Sequence, residues 1–221
     1  DLRFTDPLGK WQHLGMAAQV IDEDTFSDGV MFDGSSIAGW KDISESDMCL
    51  MPDADTAVLD PFSAQSSLIL FCDVLEPTTG QPYSRDPRST AKFAEAYLKQ
   101  SGIGDTAMFG PELEFFVFDD VRFDVSMNNT FYAIDEEEGP YNTGRGFDGG
   151  NVGHRPAVKG GYIPVPPVDS LADLRAEMLT VMGEMGVDIE KHHHEVAPSQ
   201  NELGKRGTDL LKVADQVQIY K

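Results

Sequence analysis

The sequence predicts an α+β fold in two units, a β-rich one over residues 1–83 and a mixed one over residues 84–221. Three observations carry that reading. Before Pro77 the apolar residues fall in short runs bounded by Gly, Pro and Asp, as strands and turns do. From Asp86 onward, helical stripes alternate with strand-like runs. Between the two, the stretch from Pro77 to Pro82 is rich in Gly, Pro and Thr and makes the boundary.

Taken in order, Leu2–Thr5 and Trp11–Leu14 flank Pro7-Leu8-Gly9-Lys10 and read as a hairpin. Thr56–Leu59 and Ser67–Leu75 supply further strands, with the polar segment Phe32–Trp40 lying between them and the hairpin. Asp86 and Pro87 offer an N-cap and an N1 proline for a helix carrying Phe93, Ala94, Tyr97 and Leu98 as far as Gly102. Gly110-Pro111 then opens the apolar, aromatic run Glu112–Phe118, a strand. The stretch Asp135–Gly153 is acidic and glycine-rich. Its Gly144–Gly149 run matches the dinucleotide fingerprint formally, but no strand leads in and no helix leaves, so it reads as a loop. Asp169 and Ser170 cap a helix whose stripe is Leu171, Leu174, Met178, Val181 and Met185, ending at Gly186. A His-rich strand and a terminal amphipathic helix follow. Because the acidic residues sit on strands, the second unit suits a curved sheet with carboxylates on its concave face and helices behind.

Glu112 and Glu114 stand two apart in that apolar strand and therefore share one face. Two unpaired negative charges beside a core are costly, so the strand is either a wet edge or a holder of something positive. A hard divalent cation with oxygen ligands meets the second requirement. A further cluster, Asp188-Ile189-Glu190-Lys191-His192-His193-His194-Glu195 followed by Gln200-Asn201-Glu202, favours the cation. Zinc patterns fail: His194-Glu195-Val196-Ala197-Pro198 lacks the second His of a metalloprotease helix, and no Pro-Cys-x-x-Cys occurs. Carboxylate-rich sites poor in Cys suit Mg or Mn. Mg keeps positions open for phosphate oxygens, which points to a phosphate-bearing substrate, although no Walker-type loop is present.

The formal net charge of −21 and pI near 4.3 argue against nucleic acid and against anionic membranes as partners. Only Cys49 and Cys72 occur, without Cys-x-x-Cys spacing, which suits two buried thiols in a reducing, cytoplasmic setting. Asn128-Asn129-Thr130 matches a glycosylation acceptor by chance in such a chain. The chain starts without Met and stops within an apparent helix, so a fragment cut at both ends is expected.

Several ordered blocks resemble bacterial type I glutamine synthetases: Phe32-Asp33-Gly34-Ser35-Ser36, Glu45-Ser46-Asp47-Met48, Ser84-Arg85-Asp86-Pro87-Arg88, Gly110–Phe116, Lys159–Val165 and His193-His194-Glu195-Val196. The resemblance covers essentially the whole chain. It implies a β-grasp-like N-terminal domain over 1–83 and the first part of a catalytic domain over 84–221, with a curved antiparallel sheet or partial barrel. It also implies ATP-dependent ligation of ammonium to the γ-carboxylate of L-glutamate through γ-glutamyl phosphate, with two Mg2+ or Mn2+ ions per site. Carried over by motif, Glu114, Glu195 and Glu202 resemble ligands of one ion, and Glu112 a ligand of the other. His193 falls where the family contacts nucleotide phosphate, and Glu190 and Trp40 where it binds ATP. Asp33, with Glu195 as partner, resembles the group that binds and deprotonates ammonium, with Ser36 and Tyr162 nearby. The resemblance further implies a homo-oligomer, a dodecamer with sites shared between subunits. From the residues alone, Asp33 reads as an Asx turn under a Gly-Ser loop.

Two departures stand out. The Val196-Ala197-Pro198-Ser199 loop is one residue shorter than in the enteric form, and Lys205-Arg206-Gly207 stands where an aromatic often lies near the nucleotide. The family's glutamate-binding Arg residues and second-ion His and Glu would lie past Lys221, so the isolated chain is expected to be inactive. Two other readings remain at this point: a γ-glutamyl-polyamine ligase of the same superfamily, and a non-catalytic structural or regulatory homologue.

Overall fold

A computed structural model describes residues 1–139 and 153–221. The Gly144–Gly149 run lies outside the described residues. The strands are β1 (Leu2–Thr5), β2 (Trp11–Leu14), β3 (Val30–Asp33), β4 (Asp47–Leu59), β5 (Leu68–Glu76), β6 (Gln81–Pro82), β7 (Glu112–Phe116), β8 (Asp120–Val125), β9 (Thr130–Asp135), β10 (Ile189–His194) and β11 (Gln200–Lys205). The helices are α1 (Glu23–Ser27), α2 (Pro87–Ser101), α3 (Ala172–Glu184) and α4 (Leu210–Tyr220). They form two compact units, Asp1–Gly110 with Gly207–Lys221, and Pro111–Arg206.

The first unit is a mixed sheet ordered β2-β1-β5-β4-β3, with β6 paired to β5. The expected hairpin is present: β1 and β2 pair antiparallel, and Asp6 turns the chain by accepting from the amides of Leu8 and Lys10, each at 2.9 Å. β1 runs parallel to β5 at the centre, so the sheet is not a simple meander. Alternate residues of these strands fill one core: Leu2, Phe4, Met48, Leu50, Leu70, Cys72 and Val74, closed by Trp40 and Tyr83. Asp86 caps α2 through the amides of Arg88 and Ser89, with Pro87 in the first turn, and Gly102 ends the helix in the left-handed region. The stripe on α2 is only partly used, since Phe93 and Tyr97 are exposed.

Within the first unit, one arginine joins both α2 and α4 to the sheet. Arg88 on α2 is 8% exposed and gathers three carboxylates. Its Nη1 donates to Asp73 at 2.7 Å, its Nη2 to Asp53 at 2.7 Å, and its Nε and Nη2 grip Asp215 of α4 at 3.1 and 3.0 Å. Glu95 adds a second tie by accepting from the Leu211 amide at 3.0 Å. Both flanking helices are thereby fastened to the N-terminal sheet. At Asp215, burial outweighs Arg88 and leaves the carboxyl above its ordinary value, with Asp53 and Asp73 adding to the rise. At Asp53 burial also works upward, but the Arg88 hydrogen bond and charge outweigh it and hold the carboxyl low.

The second unit contains a three-stranded antiparallel sheet, β10-β11-β7, and the separate β8–β9 hairpin. α3 forms where a helix was expected, but its buried face is turned. Arg175 and Met182 are buried, whereas Leu174 of the expected stripe is 38% exposed. Arg175 can be buried because its guanidinium pairs with Asp169 and Asn201 and reaches His192 Nδ1 at 3.3 Å. Asp169 gives Oδ2 to Arg175, and its Oδ1 accepts from the Leu171 amide at 3.3 Å at the start of the helix. Leu171 is the N-cap residue, without a side-chain bond.

Removing Arg88 strands three partly buried carboxylates. Arg88→Ala is expected to lose about 3–5 kcal/mol of unfolding free energy in urea melts; a loss under 1 kcal/mol would contradict this role. The Asp53 contribution also has a sign in pH. Its folded carboxyl is depressed, so its stabilisation is present above the ordinary value of 3.8 and disappears as pH falls through the folded value. The stability deficit of Asp53→Asn measured at pH 7 should therefore shrink as the melts are moved into that acid range.

Candidate functional site

Period-two alternation divides the β10-β11-β7 sheet into two faces. In register, His193 faces Glu202 and Glu202 faces Glu114, while Lys191 faces Gly204 and Gly204 faces Glu112. These residues form two adjacent rows on one side. On the other side lie His192, His194, Asn201, Leu203, Leu113 and Phe115. That face is the structural one, where Leu203, Asn201 and His194 are buried and Arg175 of α3 bonds to Asn201. The strand alternation expected for Glu112 and Glu114 is present, and β11 brings Glu202 into the row of Glu114.

Among the described residues, His193, Glu195 and Glu202 bring metal-ligating atoms together, one atom of each lying within 4.8 Å of the others. His193 Nδ1 stands 3.6 Å from Glu195 and its Nε2 stands 3.5 Å from Glu202. The sequence reading grouped Glu114 with Glu195 and Glu202, and gave His193 to the nucleotide. The geometry makes His193 a full member of the cluster. Glu114, opposite Glu202, accepts a hydrogen bond from Gln200 Nε2 at 2.5 Å. Burial raises the Glu202 carboxyl above its ordinary value; His193 opposes the shift, and the charges of Glu112 and Glu195 add to it. A half-enclosed carboxylate with like charges beside it favours a bound cation. The donor set of carboxylate oxygens with one imidazole fits Mg or Mn.

Small residues make room for this face. A Cβ on Gly204 would lie 2.6 Å from Lys191 Cε and 2.8 Å from its Cγ, so the Lys191 stem rests on the bare Gly204 backbone. The charge of Lys191 reaches Glu202 from there and acts to lower its carboxyl. On the far side of His193, Tyr162 is exposed and sets its ring edge-on to the imidazole at 5.8 Å. The Tyr162 segment is fixed by Gly161 N donating to Val196 O at 2.9 Å and Ile163 N donating to His194 O at 3.2 Å. Gly161 approaches so closely that a Cβ there would stand 2.7 Å from His194 Cε1 and 2.9 Å from Glu195 O.

The remaining expected residues lie elsewhere. Glu190 is exposed and pairs with Arg206 at 2.9 Å. Asp33 belongs to the first unit, where it is exposed and accepts from Ser35 N at 2.8 Å, Ser35 Oγ at 2.6 Å and Ser36 Oγ at 3.4 Å. Those Ser35 and Ser36 bonds hold its carboxyl below the ordinary value. The Asx-type turn read from the residues alone is the observed arrangement. Trp40 requires a correction. It is 4% exposed, with its ring among Phe4, Phe32 and Tyr83, so it is a core residue and not an open nucleotide contact. Gln200 was named in the acidic cluster, but its contact to Glu114 is revealed only by the register; Glu138 and Arg175 were missed. The signal for Glu138 was present in the acidic run 135–138, but nothing local linked it to His194.

No helix among the described residues is long and apolar enough to cross a membrane. A family model described as glutamine synthetase, catalytic domain, matches residues 84–221, and one described as glutamine synthetase, beta-Grasp domain, matches residues 1–77. The glutamine synthetase of Rhizobium meliloti is 62% identical over 221 residues, which is 100% of this chain and 47% of that protein. That of Escherichia coli K12 is 59% identical over 222 residues, with the same coverage. The cryo-EM structure of Plasmodium falciparum glutamine synthetase superposes with a TM-score of 0.88 at 25% identity, over 100% of this chain and 44% of that one. The chain spans about half the length of the curated relatives it matches.

A methyl group at Gly161 has no room without moving His194 or the Glu195 carbonyl. Gly161→Ala should cost about 1–3 kcal/mol, as overpacked positions do. An unchanged thermal midpoint would contradict the close approach.

Proposed function

The chain belongs to the glutamine synthetase family, and from that premise we propose that it supplies part of the active site of an ATP-dependent ligase that joins ammonia to the γ-carboxylate of L-glutamate. The observation that carries the reading is the convergence of Glu114, Glu195, Glu202 and His193 on one sheet face, with Glu112 in the neighbouring row. Glu195, Glu202, His193 and Glu114 would hold one Mg2+ or Mn2+, and Glu112 would contribute to a second. When bound, such ions neutralise charge on the transferred phosphoryl oxygens.

The chemistry divides into two transfers. A γ-carboxylate oxygen of glutamate attacks the γ-phosphorus of ATP, ADP leaves, and γ-glutamyl phosphate forms. Ammonia then attacks the acyl carbon and phosphate leaves, giving glutamine. Ammonium must first give up a proton, and a carboxylate both attracts the cation and accepts that proton. Glu195 and Asp33 are proposed for this task, with Ser36 and Tyr162 beside the ammonium. The Ser35 and Ser36 bonds that depress the Asp33 carboxyl keep it ionised for holding a cation. Glu190 and His193 are proposed to contact ATP, His193 from between Glu195 and Glu202. The assembly that would bring Asp33 to a neighbouring subunit's site, a dodecamer, is part of the same proposal.

The test separates the two roles in the full-length enzyme. Glu114→Gln should weaken Mn2+ binding by at least tenfold and abolish glutamine formation. Asp33→Ala should leave Mn2+ binding intact while raising the ammonium KM or lowering kcat by about 10²-fold or more, the scale of a lost general base. Ammonia use unaffected by Asp33→Ala would remove that residue from the reaction.

A further inference from the structure

Behind the acidic face, one buried carboxylate fastens three segments of the second unit together. Glu138 Oε1 accepts from Ser170 N at 3.1 Å and Ser170 Oγ at 2.6 Å. Its Oε2 accepts from Ser199 N at 2.6 Å and His194 Nε2 at 2.6 Å. Four donors saturate a carboxylate. Glu138, His194 and Ser199 are all buried, at 2%, 0% and 2% exposure. The other nitrogen of His194, Nδ1, faces the backbone oxygen of Glu195 at 2.6 Å. Both ring nitrogens thus meet only acceptors, an arrangement that calls for a proton on each and an imidazolium paired with Glu138.

The segment held in this way is the Glu195–Ser199 turn between β10 and β11, which carries the candidate ligand Glu195. The turn needs holding. Ser199 sits at φ 53°, a left-handed conformation that a non-glycine residue adopts at a cost. The Glu138 bond to the Ser199 amide fixes one end of the turn, and the His194 bond to the Glu195 carbonyl fixes the other. Residues that orient a ligand from behind commonly set metal affinity.

We propose that Glu138 is a positioning residue: acting through His194 and the Ser199 amide, it locks the turn that aims the Glu195 carboxylate at His193 and Glu202. The inference rests on the metal-site reading above. It adds that the affinity of the site depends on a carboxylate that does not touch the ion. Glu138→Gln keeps the shape but presents an amide NH2 to one pair of donors, so one side of the staple must open.

The experiment is Mn2+ binding to the full-length protein, followed by electron paramagnetic resonance, with circular dichroism as a check on folding. Glu138→Gln is expected to weaken Mn2+ binding by about 10–100-fold. Met182→Ala, which removes a buried side chain of α3 away from the turn, should lower the melting temperature and leave Mn2+ affinity unchanged. If Glu138→Gln does not fold, Ser170→Ala opens only one bond of the staple and should weaken binding by about fivefold, the worth of one net hydrogen bond. Affinity within twofold of wild type in Glu138→Gln, or in Ser170→Ala where that variant stands in, overturns the proposal. So does equal weakening by Met182→Ala, which would reduce the effect to lost stability. A wild-type protein that binds no Mn2+ overturns the metal-site reading itself, and this inference with it.

Discussion

Negative charge gathered on one face of a small sheet is the constraint around which the second unit is built. Glu112, Glu114, Glu195 and Glu202 gather on this side, and at Glu202 burial, with the charges of Glu112 and Glu195 added, raises the carboxyl above its ordinary value. His193 and the Lys191 stem over Gly204 offset part of it from within the chain. A purely structural sheet gains nothing from such an arrangement, because apolar residues in the same rows would be more stable. Divalent cations would give these carboxylates a partner, and a phosphate-bearing substrate would fill the positions such ions leave open.

The reverse face of the sheet explains how so unfavourable a surface is kept in register. A one-residue slip of β11 would move Glu202 into the core and Leu203 into solvent. Arg175 guards against that slip by reaching from α3 to Asn201 while pairing with Asp169. Its charge is buried only because those partners satisfy it. Two polar networks, one around Arg175 and one around Glu138, stand behind the acidic rows. In the first unit Arg88 does comparable work for the helices, joining α2 and α4 to the sheet through three carboxylates.

Local signals in the sequence sufficed for much of this. The β1–β2 hairpin, the Asp86-Pro87 helix start, the Gly110-Pro111 strand and the shared face of Glu112 and Glu114 all follow from short-range rules. What escaped detection depends on distance. β11 carries Asn201, Glu202 and Lys205 at buried positions, so its polar composition hid a central strand. The β8–β9 hairpin turns at Ser126–Asn129, overlapping the Asn128-Asn129-Thr130 match. The Arg88–Asp215 pair joins residues 127 apart, so no local pattern announced that α4 packs with the first unit. Trp40 looked like a site residue by motif but is held in the core by Phe4, Phe32 and Tyr83. The turned face of α3 escaped because an arginine, not a leucine, is its most buried residue.

The claim that most needs testing is that the acidic face is a cation site. Anomalous diffraction at the manganese edge, from crystals of the full-length protein grown with Mn2+, addresses it directly. A peak in direct contact with Glu195 and Glu202, and with Glu114 or His193 completing the set, is the predicted result. A map with no peak on this face at saturating Mn2+, with the carboxylates instead turned to water or to Lys191, would contradict it.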